Sequence, residues 1–160
     1  MATGVMEVTL VKARGLKNTD FILGGKIDPY VVIRYKDEEQ RSTVAKAGKG
    51  SEPVWNEKFA FSVDYPGSDD EHKLLLHIMD KDTFSADDFL GRSTIYLNDI
   101  FELGVENGTA VVEPTIYSVV DSNQRYSGEI QVGITFTPKV QAEEVEDFGG
   151  WKESNPDYFP

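Results

Sequence analysis

Cysteine is absent from this 160-residue chain. That excludes a disulfide framework, a zinc–thiolate site and a thiol nucleophile, and it favours a reducing compartment. Positive charge is scarce: 16 Lys and Arg stand against 28 Asp and Glu, a formal net charge of −12. Such a chain is a poor polyelectrolyte partner for nucleic acid. No apolar run approaches the roughly 20 residues that span a bilayer. The opening Met-Ala-Thr-Gly segment is neither basic nor strongly apolar, so no secretory signal is expected. With Ala2 at the second position and no terminal cysteine, neither N-myristoylation nor prenylation is expected. What remains is a soluble intracellular protein. Its length favours one domain, because halves of about 80 residues would each have a meagre core.

Nine Phe, seven Tyr and two Trp, with 39% hydrophobic residues, suffice for one packed core. Strict alternation marks strands with one buried face. Met6, Val8 and Leu10 share a face, as do Val31, Ile33 and Tyr35, and a short polar strand is expected around Arg41 to Ala45. Phe59, Phe61 and Val63 alternate next, then Leu74, Leu76 and Ile78. Further strands are expected at Thr94 to Leu97, Ile116 to Val120 and Ile130 to Phe136. The pattern predicts an all-β, eight-stranded antiparallel sandwich. One short helix is expected to open near Asn98, with the Asn98 side chain capping the first free amides. Periodicity stops at Gln141, and six of the last twenty residues are acidic against one Lys. Residues 139–160 are read as a mobile acidic tail, in which Gly149-Gly150-Trp151 could dock back on the body.

The aspartates are not explained by a sandwich alone. Asp20 and Asp28 bracket one loop, while Asp80, Asp82, Asp87 and Asp88 crowd another. An Asp-x-Asp step in extended chain points both carboxylates to one side. Acidic loop residues are usually solvated turn formers, and Asp28 before Pro29 reads equally well as a turn. Carboxylates crowded at this spacing repel one another unless a cation neutralises them. Ca2+ suits such a set, since it takes about 6–8 oxygen ligands in flexible geometry.

Asp28-Pro29-Tyr30-Val31, Pro53-Val54-Trp55-Asn56-Glu57 and the Asp80-x-Asp82 pair with Asp88 six residues on together resemble a calcium-binding C2 domain. The resemblance covers roughly residues 5 to 137, and the domain is expected to occupy residues 1–138. The chain starts on the strand before the Asp-Pro-Tyr loop, and Gly128-Glu129-Ile130 opens the last strand. That order resembles the type II, circularly permuted C2 topology. A single such domain followed by an acidic Gly-Gly-Trp segment is similar to the small plant C2 proteins, the elicitor-responsive and small phloem proteins. The resemblance implies Asp28, Asp80, Asp82 and Asp88 as Ca2+ ligands, Ser85 as an accessory ligand and the Lys81 carbonyl as a backbone oxygen. Asp20 would complete the set, although eight residues separate it from Asp28 where the family usually has six. Asp87 matches no ligand and reads as spare negative charge.

Competing motifs fail on detail. An EF-hand beginning at Asp80 would need an oxygen ligand where Phe84 stands and Gly where Ser85 stands. Gly48-Lys49-Gly50-Ser51 lacks the phosphate-loop spacing and reads as a turn, and the Asn107-Gly108-Thr109 sequon needs a secretory route. His72 and His77 have no nucleophile or acid partner at informative spacing, so no enzyme is expected and His77 reads as a packed or surface histidine.

Phe21, Ile22, Leu23 and Phe84 lie among the acidic loop residues and are expected membrane-insertion tips, with packing beneath the sandwich as the alternative. The resulting expectation is a cytosolic monomer that Ca2+ recruits to anionic phospholipid at the plasma membrane, with plant defence implied by the resemblance. The basic residues Arg34, Lys36, Arg41, Lys46, Lys49 and Lys58 offer a second lipid contact or, with five acidic residues in the same stretch, a solvated mixed face. The rival expectation is a phloem-type RNA or protein trafficking carrier. Direct RNA binding is disfavoured, for want of a dense basic stripe with interleaved aromatics. A third is a scaffold whose acidic tail binds a basic protein.

Overall fold

Alternating residues become the inward row of each strand, and the row ends decide where the loops fall. The computed structural model describes residues 2–16, 27–45, 52–65 and 72–139. Within them run β1 (Ala2–Arg14), β2 (Pro29–Tyr35), β3 (Glu38–Arg41), β4 (Val54–Tyr65), β5 (Lys73–Asp80) and β6 (Asp88–Tyr96). Helix α1 (Asn98–Asn107), β7 (Ala110–Val120) and β8 (Tyr126–Pro138) complete them.

The eight strands are all antiparallel and pair in the order β3-β2-β5-β6-β7-β8-β1-β4. This ladder folds into two layers around Met6, Val8, Leu10, Ile33, Phe61, Leu74, Leu76, Ile78, Ile130 and Phe136, each at most 1% exposed. First and last strands are neighbours, with Met6 opposite Phe136, which is the permuted order expected from the sequence. The layers join where β6 meets β7 through the pair Arg92–Val120. Gly91 makes that approach possible, since a Cβ there would lie 2.5 Å from Val119 Cγ1.

The two edge strands are stitched by side chains, which shields an otherwise open ladder. Gln40 Nε2 donates to the Ala60 carbonyl at 2.7 Å, and the Ser62 amide donates to Glu38 Oε1 at 3.1 Å. The Thr43 amide donates to Glu57 Oε1 at 3.1 Å. The Pro-Val-Trp-Asn-Glu stretch thereby acquires a structural meaning. Asn56 takes a left-handed φ of +52° where the β1–β4 register slips, a conformation Asn tolerates better than most residues. The slip leaves Trp55 buried and Glu57 turned to the seam.

Two local expectations are corrected. The polar strand is Glu38–Arg41 rather than Arg41 to Ala45, because Ser42 leaves the regular ladder and uses its side chain instead. Its Oγ accepts the Val31 amide at 2.8 Å. The N-cap position of helix α1 falls on Leu97, which makes no side-chain cap hydrogen bond, and the helix itself opens with Asn98. Asn98 Oδ1 accepts the His72 amide at 3.2 Å, tying the helix to the start of β5. His72 itself is fully buried, its Nδ1 2.8 Å from the Tyr35 hydroxyl, against Tyr65 and Phe101. His77 is half-buried on the opposite face of β5 and meets Phe89 edge-on at 5.7 Å.

Candidate functional site

The row Leu74, Leu76, Ile78 ends on Asp80, so period-two alternation places a carboxylate in the inward position at the end of β5. Asp80 is 8% exposed. A carboxylate in such a place needs compensating partners. Its Oδ1 accepts the Asp28 amide at 2.8 Å, while the Asp28 carbonyl accepts the Lys81 amide at 3.0 Å. Pro29, with no amide to donate, opens β2 and holds Asp28 in the extended range. The cross-strand row reads Pro29, Asp80, Asp88 over β2, β5 and β6. Strands are about 4.8 Å apart, so like charges directly opposite each other repel. A register slip at Ile78–Met79 against Gly91–Phe89 inserts Leu90 next to this row. Bulges of this kind re-aim neighbouring side chains.

The segment between Asp80 and Asp88 is organised from inside and outside. Asp82 Oδ1 accepts the Phe84 amide at 2.9 Å and the Ser85 amide at 3.3 Å, and its Oδ2 accepts the Ser85 hydroxyl at 2.8 Å. The Phe84 amide, then the Ser85 hydroxyl, hold the Asp82 carboxyl below the usual carboxylate range. Phe84 stands at the tip of this turn, 96% exposed.

Asp87 is not spare charge. Its Oδ2 accepts the Tyr30 hydroxyl at 2.5 Å and its Oδ1 accepts the Asp82 amide at 2.9 Å. The Tyr30 hydroxyl, then the Asp82 amide, lower the Asp87 pKa, while that same bond to Asp87, followed by burial, raises the Tyr30 phenol. Tyr30 carries the Arg41 guanidinium 5.9 Å from its ring centroid. The sequence signals Tyr30 only as part of Asp-Pro-Tyr. Its pairing across 57 positions has no local signature.

Asp28, Asp80, Lys81, Asp82, Ser85 and Asp88 therefore lie around one end of the sandwich. Asp20 and the expected insertion tips Phe21, Ile22 and Leu23 lie outside the described residues. Among the described residues, no three His, Asp or Glu side chains gather as a group able to hold a metal ion. Both Asp82 oxygens are engaged within its own turn. The donor set is nonetheless all oxygen, which suits a hard cation such as Ca2+ rather than a thiolate- or imidazole-seeking metal.

The basic stretch is a mixed face. Arg34 pairs with Glu39 at 2.6 Å, Arg41 approaches the same carboxylate at 4.0 Å, and Lys58 lies 3.9 Å from Glu7. Lys46 and Lys49 lie outside the described residues. No helix among the described residues is long and apolar enough to cross a membrane.

Comparison with known proteins agrees with this architecture. The chain is 44% identical over 158 residues to 16 kDa phloem protein 1 of Arabidopsis thaliana, covering 98% of this chain and all of that one. It is 46% identical over 155 residues to elicitor-responsive protein 1 of Oryza sativa subsp. japonica, covering 95% and 96% of the two chains. A solved C2 domain-containing protein from an elicitor-responsive gene superposes with a TM-score of 0.68 at 36% identity, over 89% of this chain and 96% of the other. The family model described as C2 domain matches residues 4–112, and the chain belongs to the C2 domain family.

Proposed function

We propose that this protein is a non-enzymatic, calcium-dependent phospholipid-binding module, recruited from the cytosol to the plasma membrane when calcium rises. The observation that carries the reading is the gathering of aspartates at one end of the sandwich, Asp80 opposite Asp88 across β5 and β6 and bonded to the amide of Asp28, which immediately precedes β2. Asp28, Asp80, Asp82 and Asp88 would hold Ca2+, with Ser85, the Lys81 carbonyl and Asp20 completing the oxygen set. Bound Ca2+ supplies positive charge at a site that is otherwise anionic. Without it, this end of the molecule and the anionic leaflet repel each other. With it, headgroup phosphates gain a cationic partner. Phe84, already held outward, then loses its water-exposed surface in the interfacial region, and Phe21, Ile22 and Leu23 are proposed to insert with it. A role for this recruitment in plant defence is part of the proposal, supported by the names of the similar elicitor-responsive proteins.

A second reading, a phloem trafficking carrier for RNA or protein, is favoured by the similarity to a phloem protein. The acidic tail of residues 139–160 would then serve as a contact for basic protein partners. Against direct RNA binding stand the net charge of −12 and the pairing of Arg34 with Glu39. The module is expected to act as a monomer. Sedimentation with phosphatidylserine-containing vesicles, in calcium and in chelator and with RNA as competitor, separates the readings. Calcium-dependent pelleting that RNA leaves unchanged supports the lipid reading. Tight RNA binding at physiological salt without pelleting supports the carrier.

A further inference from the structure

We propose that Tyr30 and Asp87 are positioning residues for calcium binding: they tether the Asp82 loop to the rigid β2 strand and so preorganise it. The inference rests on the calcium reading above and adds to it a pair that supplies no ligand. Tyr30 is an anchor of the right kind. It is 6% exposed, sits in register with Met79 on β5, and packs beneath the Arg41 guanidinium. Asp87 is the matching clamp, one oxygen on the Tyr30 hydroxyl and the other on the Asp82 amide. Both Asp87 oxygens are thereby engaged, although the residue immediately precedes Asp88.

The physical consequence follows from loop entropy. A loop that must be ordered by its ligand spends part of the binding free energy on ordering. One whose backbone is already fixed at Asp82, by a bond anchored in a strand, does not. Removing the tether therefore weakens metal binding without removing a metal ligand.

Three substitutions in the full chain separate this role from simple charge. Tyr30→Phe keeps the ring and deletes the hydroxyl. Asp87→Ala deletes both acceptors. Asp87→Asn removes the charge but keeps both bonds, since its amide oxygen still accepts from Asp82 and its NH2 donates to a rotated Tyr30 hydroxyl. Calcium titration calorimetry should show Tyr30→Phe and Asp87→Ala weakened about five- to tenfold, with Asp87→Asn within about twofold of wild type. Amide exchange at Asp82 in calcium-free protein should accelerate in the first two variants and not in the third. Asp87→Asn weakened as much as Asp87→Ala, with Tyr30→Phe at wild-type affinity, would overturn the tether in favour of bulk charge. Unchanged Asp82 exchange in Tyr30→Phe would also overturn it. A wild type silent to calcium would overturn the metal-binding role with the proposed function. That outcome is distinguishable from a failed tether, because Asp82 exchange still reports on the bond itself.

Discussion

Asp80 and Asp28 lock two loop bases together: Oδ1 of Asp80 takes the Asp28 amide at 2.8 Å, and the Asp28 carbonyl takes the Lys81 amide at 3.0 Å. The lock needs an oxygen acceptor at position 80, not a charge. Structure and electrostatics at this end of the sandwich are therefore separable by experiment.

The double variant Asp80→Asn, Asp82→Asn keeps acceptor oxygens for the Asp28 and Phe84 amides while removing two negative charges. Its calcium-free melting temperature should stay near or slightly below that of wild type. Relief of the repulsion between positions 80 and 88 is set against weakening of the hydrogen bonds that favour the ionised Asp82. Its response to calcium should vanish. Differential scanning calorimetry with and without calcium reads both quantities, and a retained calcium shift would show that these carboxylates bind no ion.

Phe84→Ser probes insertion alone. The side chain is 96% exposed, so calcium-free stability should stay within about 0.5 kcal/mol of wild type. Calcium affinity in solution should not move. Affinity for anionic vesicles should drop about tenfold, and the loss should persist at high salt, which screens charge but not apolar burial. Equal vesicle affinities would leave an electrostatic bridge without insertion.

His77 gives the fold a mild acid sensitivity. Desolvation first, then Arg34 and Arg92, push its pKa below 6.5, with Glu39 opposing. The unfolded chain therefore takes up the proton first, so stability is present above pH 6.5 and is lost as pH falls through the lower folded value. Asp82 and Asp87 have lowered pKa values, so their contribution is lost only below the usual carboxylate range. The melting temperature should fall between pH 7 and about pH 5.5, and His77→Gln should flatten that slope. Parallel profiles for the two proteins would contradict the assignment.

Most strands were legible because their inward rows alternate without interruption, as in Met6-Val8-Leu10 and Ile130-Val132-Ile134-Phe136. Where alternation fails, so does the reading. β6 begins at Asp88 and not Thr94, because its first turn-like residues are aspartate and its bulge puts Leu90 and Gly91 inward together. β7 reaches back to Ala110 through Pro114, a residue that argues against a strand unless a bulge accommodates it, as here between Val112 and Thr115. The carboxylates Asp28, Asp80 and Asp88 were visible as a spacing; in the structure Asp80 and Asp88 stand opposite each other across β5 and β6, and the Asp28 amide bonds to Asp80. The Tyr30–Asp87 bond and the Asn98–His72 bond were not visible, since a polar side chain's partner on another element leaves no trace in local pattern.

Gly91→Ala tests the junction of the two layers. The new Cβ would meet Val119 Cγ1 at 2.5 Å and the Val120 carbonyl oxygen at 3.0 Å. Separation of β6 from β7 should cost about 1–3 kcal/mol, read as a lower denaturation midpoint at unchanged slope. A midpoint equal to wild type would show that the junction yields freely.

The most direct test is thermal melting of the full chain in chelator, in magnesium and in calcium. An ion bound by the folded cluster adds RT ln(1 + [L]/Kd), about 2.7 kcal/mol at a hundredfold excess over Kd. For a domain of this size that raises the melting temperature by about 5–10 °C. Calcium should produce this shift and magnesium far less, since Mg2+ demands tighter octahedral geometry and sheds water reluctantly. Superimposed curves in calcium and chelator would contradict the calcium site.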